Sequence, residues 1–80
     1  MIMDEQFDEC AAEQDLRRKL VAARKEAGLT QKELGQKSGL DQRAISRLET
    51  DTNVSPSVRT LIKYLSSMGY ELDIVKATAK

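Results

Sequence analysis

Gln31, Gln42, Arg43, Ser46 and Arg47 are the residues whose types and spacing could do chemistry in this chain. Positions 42, 43, 46 and 47 recur at i, i+1, i+4 and i+5, so on a helix they share one face, and each reaches beyond the backbone with a hydrogen-bonding group. The chemistry of such a face is non-covalent. A guanidinium fork binds two acceptors at once or neutralises an anion, and a side-chain amide pairs with a donor–acceptor edge. Covalent chemistry is poorly provided for: the 80 residues contain no histidine and one cysteine, Cys10. That removes the usual general base, the commonest zinc ligand and any thiolate cluster. The remaining Ser, Lys and Asp residues place no identifiable base beside a nucleophile. No catalytic residue, metal site or cofactor is expected, and the protein is read as not an enzyme.

Such a face needs elements that hold it, and the stretch LTQKELGQKSGLDQRAISRLE, Leu29 to Glu49, supplies them. Thr30 and Glu33 have the spacing of a capping box, which starts a helix at Gln31. Gly39 ends it near Lys37 or Ser38, and Asp41 caps a further helix from Gln42 to about Thr50, with Ile45 and Leu48 inward. Two helices joined by a three- or four-residue turn containing Gly form a helix-turn-helix. In it, Leu34 and Ile45 face the preceding helix and the small Gly35 allows close approach. The outward face of the later helix is then Gln42, Arg43, Ser46 and Arg47, basic and of the type that fits a DNA major groove.

Around this unit the periodicity predicts two more helices. From about Glu13 to Ala27, Leu16, Leu20, Val21, Ala23 and Ala27 keep helical spacing, with Arg17, Arg18, Arg24 and Lys25 between them, and Gly28 stands where a left-handed residue ends a helix. Upstream, Met3, Phe7, Cys10 and Ala11 keep the same period weakly, so the first residues either extend that helix or form their own. After Glu49, Ser55 and Pro56 read as an N-cap followed by proline at the first helical position, with a helix to about Met68 that turns Val58, Leu61, Ile62 and Leu65 inward and closes at Gly69. Tyr70 to Val75, YELDIV, alternates with period two and reads as a strand. The expected fold is all-α: four to five helices with a core of Leu, Ile, Val and Ala, and a C-terminal β-strand. It divides into an N-terminal segment 1–15, a helix-turn-helix domain 16–68 and a C-terminal strand and tail 69–80.

The formal net charge is zero, yet residues 1–15 carry −6 and residues 16–65 carry +6. A basic body with an acidic arm fits a nucleic-acid surface joined to a segment that shields it or engages a basic partner. The other reading of the arm is a solvated helix with an excess of acids.

The same stretch, LTQKELGQKSGLDQRAISRLE, resembles the helix-turn-helix of the phage repressor and Cro-like (XRE) DNA-binding proteins, over roughly residues 16–65. The resemblance rests on the Thr-Gln start, the turn glycine and the Ile-Ser-x-x-Glu ending. It implies that Gln31 and Gln42 contact or position phosphates and bases, and that Arg43, Ser46 and Arg47 read base edges or the backbone of double-stranded DNA. It also implies that Arg24 and Glu49 form an ion pair tying the first helix to the recognition helix. The chain departs from the family at Gly35, where Ala is usual, and at Asp41, where Ser or Thr is common and a carboxylate lies near phosphates. The bland reading of Arg43 and Arg47 is solvated surface.

A lone strand needs a partner for its backbone groups, and the same strand of a second copy is the nearest one, paired through Tyr70, Leu72 and Ile74. A homodimer follows, matched to a palindromic operator. The other reading is an extended tail, or a strand lying on its own helices. MGYELDIV after a repressor-like body also resembles antitoxins of type II toxin-antitoxin pairs of the HigA and HipB kind. That resemblance implies autorepression and a basic toxin as partner, with Asp4, Glu5, Phe7, Asp8 and Glu9 as its contact. The alternatives are a stand-alone XRE-type regulator and a protein-only adaptor. With no signal peptide and no long apolar run, the chain is expected in the cytoplasm and away from membranes.

Overall fold

The computed structural model describes residues 8–76. Four α-helices follow one another: α1 Glu9–Glu26, α2 Gln31–Ser38, α3 Gln42–Thr50 and α4 Val58–Ser66. Each starts on a side chain that accepts from an otherwise unpaired backbone amide. Asp8 takes the amides of Cys10 and Ala11, Asp41 that of Arg43, and Ser57 that of Thr60. The capping box on α2 is complete: Thr30 Oγ1 accepts from the Glu33 amide at 3.1 Å, and Glu33 Oε1 accepts from the Thr30 amide at 2.9 Å. The α4 cap is therefore Ser57 and not Ser55, with Pro56 outside the helix; Ser55 instead donates to Glu13 Oε2 at 3.2 Å.

The core consists of Leu20, Leu34, Ile45, Leu48 and Tyr64, with Leu16, Leu29, Leu40, Leu61, Leu65 and Met68 packed against it. The inward face of α4 differs from the expected one. Val58 and Ile62 are exposed (66 % and 47 %), whereas Tyr64 is fully buried. The stripes 58/61/62/65 and 61/64/65/68 are both helical, and apolarity alone favours the first. The second prevails because a tyrosine there buries its ring and still finds partners for its hydroxyl.

Helix α4 ends at Ser66, two residues before the expected end at Met68, and Gly69 follows with positive φ. Residues 70–76 form no strand, and among the described residues no strand exists to pair with them. A ladder needs a neighbour, and the four helices offer none. Tyr70, Leu72, Ile74 and Val75 are consequently exposed. At the other end, Asp4, Glu5 and Phe7 lie outside the described residues, and the acidic side chains from Glu9 to Asp15 sit on the first half of α1, capped by Asp8. No helix among the described residues is long and apolar enough to cross a membrane.

Close approach of α2 to the turn before α3 depends on Gly35. A Cβ built there would lie 2.9 Å from the Leu40 carbonyl oxygen and 3.5 Å from Ile45 Cδ1. The first contact is with backbone, which cannot swing aside as a side chain can. Gly35→Ala should thus lower stability by about 1–2 kcal/mol, the cost of overpacking outweighing the gain in helix propensity. Urea unfolding checks this, and an unchanged or raised midpoint would contradict it.

Candidate nucleic-acid interface

Helix α3 is amphipathic. Ile45, Leu48 and Glu49 are buried, while Gln42, Arg43 and Arg47 are exposed and Ser46 is half-buried on the opposite face. Its N-terminus carries a free turn of amides, of which Asp41 Oδ1 satisfies that of Arg43 at 2.9 Å. Gln31, Gln42, Arg43 and Ser46 surround one shallow depression together with Asp41. Arg47 stands apart from it. It borders a second depression, walled by Ala44, Val54, Ser55, Pro56 and Thr60. Four of the five expected residues thus meet at one depression, and Arg47 borders another. No carboxylate forms a salt bridge with Arg43 or Arg47 among the described residues, so both guanidinium groups remain available to an external anion.

The outward face of α3 is oriented from beneath by Glu49. Its carboxylate is buried and accepts from Arg24 Nε at 2.8 Å, Arg24 Nη2 at 3.0 Å, Gln31 Nε2 at 3.0 Å and the Tyr64 hydroxyl at 2.6 Å. Arg24 Nη1 also donates to the Leu29 carbonyl at 2.8 Å. The expected pairing of Arg24 with Glu49 is present, as a fork on the carboxylate. Gln31 has a second role besides the expected contact: half-buried, it spends an amide hydrogen on Glu49, which fixes the orientation of its side chain at the depression.

Burial pushes the Glu49 pKa upward, but the hydrogen bonds from Arg24, Tyr64 and Gln31 together outweigh it and hold the carboxyl below its ordinary 4.5. Tyr64 moves the other way. Burial and its bond to the carboxylate raise its phenol far above the ordinary 10.0. The Arg24 guanidinium is raised as well, chiefly by its bond to Glu49. At neutral pH the node is a carboxylate held by a cation, an amide and a neutral phenol.

Two residues of this assembly escape a reading by sequence pattern. Tyr64 lacks the apolarity that marks a core position. Arg17 resembles a solvated charge between apolar residues, yet it is buried; its Nε donates to the Leu48 carbonyl at 3.2 Å and its Nη2 to the Val54 carbonyl. The available signal was its spacing: Arg17 lies seven residues before Arg24, two turns along the same face of α1.

Residues 20–75 match the family model described as Helix-turn-helix. The chain belongs to this family. This helix-turn-helix protein is 35% identical over 63 residues to a protein of Haemophilus influenzae named an uncharacterized HTH-type transcriptional regulator. The aligned part is 79% of this chain and 63% of that relative, so the chain spans less than two thirds of the relative's length. No solved structure matches it.

The depressed pKa of Glu49 makes a pH-dependent prediction. A carboxylate stabilised in the folded state contributes fully above its unfolded value, about 4.5, and its contribution fades as pH falls through the lower folded value. Glu49→Gln should destabilise the helix-turn-helix protein at pH 7 by about 3–5 kcal/mol, because the Arg24 cation is left buried without its anion. The gap to the wild type should narrow below pH 4.5. Urea midpoints of both proteins from pH 3 to pH 8 test this, and a gap independent of pH would contradict the carboxylate's role.

Proposed function

We propose that the protein is a sequence-specific DNA-binding transcriptional regulator that lays α3 in the major groove and represses its own operon. One observation carries the reading: α3 is anchored at Glu49 by side chains from each of the other three helices, while its opposite face offers two arginines without carboxylate partners, a glutamine and a serine. Arginine can bridge guanine O6 and N7, glutamine can pair with adenine N6 and N7, and the helix start offers amides to phosphate. The name of the Haemophilus influenzae relative supports a transcriptional role.

The protein acts in this reading as a homodimer on a palindromic operator, its recognition helices reaching half-sites about one helical turn apart. Exposed Val58 and Ile62 on α4, together with Tyr70, Leu72, Ile74 and Val75 in the C-terminal segment, support a second copy as partner. Ile74 and Val75 are 94 % and 82 % exposed, a costly arrangement for a chain that stays alone. Pairing of residues 70–75 across a two-fold axis would turn this segment into a ribbon and cover them.

Fluorescence-anisotropy titration of DNA upstream of the reading frame, at several salt concentrations, tests this reading. Binding should saturate at two protomers per site and weaken steeply with salt, the slope of log affinity falling by about 0.9 for each phosphate contact removed. Arg43→Ala with Arg47→Ala should weaken binding at least tenfold, since each well-placed arginine is worth about 1–3 kcal/mol. Absence of any sequence preference at low salt would move the helical surface to a protein adaptor's role.

The finer reading is the antitoxin of a type II toxin-antitoxin pair. Asp8 and Glu9 stand exposed at the start of α1 and continue the acidic run that includes Asp4 and Glu5, a surface suited to a basic toxin. Titration with the product of the adjacent gene should give a salt-sensitive complex that Asp8→Asn with Glu9→Gln weakens. No complex would leave a stand-alone XRE-type regulator.

A further inference from the structure

The recognition helix differs from its neighbours in how it stops. Helices α1, α2 and α4 each run into a glycine of positive φ: Gly28, Gly39 and Gly69. Helix α3 ends on Asp51, which is extended, with φ −91°. Its last carbonyls must be satisfied otherwise. The Asp51 amide takes that of Arg47, and Arg17, reaching across from α1, takes that of Leu48. A guanidinium at this end also complements the negative pole of the helix dipole.

Arg17 does more than cap. Its Nη2 donates to the Val54 carbonyl, and Val54 is bound back to the Asp51 carbonyl through its own amide at 3.2 Å. Arg17 Nη1 lies 3.9 Å from Glu13 Oε1, while Glu13 Oε2 accepts from the Ser55 hydroxyl. The first half of α1 therefore grips the loop 51–57 at two consecutive points. That loop supplies Val54, Ser55 and Pro56, one wall of the depression beside Arg47.

We propose that Arg17 is a positioning residue for DNA recognition: by clasping the Leu48 and Val54 carbonyls it fixes the end of α3 and the loop that frames Arg47. The inference rests on the DNA-binding reading and adds to it a division of labour. Glu49 and Arg24 set the orientation of α3, and Arg17 sets the surroundings of its last DNA-facing arginine. Arg43, at the other end of α3, lies in the separate depression and is independent of the clasp.

The experiment measures operator and scrambled-DNA affinities for the full chain, Arg17→Met and Glu13→Ala, each combined with Arg47→Ala and with Arg43→Ala. Urea unfolding first establishes the temperature at which each variant is folded. Arg17→Met should lose about tenfold in operator affinity, comparable with one well-placed base contact, and keep its affinity for scrambled DNA within about twofold, since phosphate contacts dominate there. In that background Arg47→Ala should cost markedly less than in the wild type, whereas the cost of Arg43→Ala should be unchanged. Should Arg17→Met not fold, Glu13→Ala carries the test, because it loosens the hold on Ser55 while both carbonyl acceptors of Arg17 stay in place. It should show the same selective coupling to Arg47 at smaller amplitude, with faster amide exchange at Val54. Folded variants with wild-type operator preference and no coupling to Arg47 would overturn the proposal while leaving the DNA-binding reading intact. A wild type without operator preference would overturn both.

Discussion

The buried carboxylate of Glu49 is the constraint on which the arrangement of the four helices depends. It belongs to α3 and receives hydrogen bonds from Arg24 of α1, Gln31 of α2 and Tyr64 of α4. The Tyr64 hydroxyl also lies 3.0 Å from the Leu20 carbonyl of α1; its single proton goes to the nearer, charged acceptor at 2.6 Å. An unpaired carboxylate in an apolar interior is costly enough that it would rather take up a proton or drag the site open to water. Here it stays charged because its partners arrive from every helix at once. A rotation or slip of any helix withdraws a donor and exposes that cost.

This gives a small core a sharper minimum than its apolar contacts alone would. Five large side chains are fully buried, and a core of that size tolerates some sliding of helices at modest cost, since apolar contact is not directional. Hydrogen bonds to a charge are directional and lose their strength steeply with misalignment. The division matters in the proposed DNA-binding reading, where the outward side chains of α3 must be placed against a fixed pattern of acceptors. Apolar burial drives the helices together, and the carboxylate selects the orientation in which they stay.

The legible part of the molecule is the part encoded by local rules. The capping box at Thr30 and Glu33, the Asp41 cap, the close approach at Gly35 and the pairing of Arg24 with Glu49 are each readable from spacing or from the likeness to repressors, and each is present. What escaped is set by tertiary context. The α4 face could be drawn through Val58 and Ile62 or through Tyr64, and only a buried acceptor 15 residues earlier in the chain decides between them. Arg17 satisfies carbonyls 31 and 37 residues away, so its local pattern offers no more than a place on the Arg24 face of α1. The alternation of YELDIV has the period of a strand, but a strand is a relation between two segments, and the described residues offer no second one.

Arg17 and Arg24 of α1 and the two arginines of α3 have opposite fates for the same physical reason. Arg17 and Arg24 are held inward because carbonyls and a carboxylate wait there, and those acceptors repay the loss of water around a delocalised, weakly hydrated cation. Arg43 and Arg47 project from the other side of α3, where no carboxylate of the described residues competes for them. Changing the outward pair leaves the node untouched, so the surface can be retuned to another partner without refolding the domain. Gln31 is the exception. It touches Glu49 with its amide and borders the depression shared with Gln42, Arg43 and Ser46. A change there alters the support and the surface together, which ties the orientation of α3 to whatever occupies that depression.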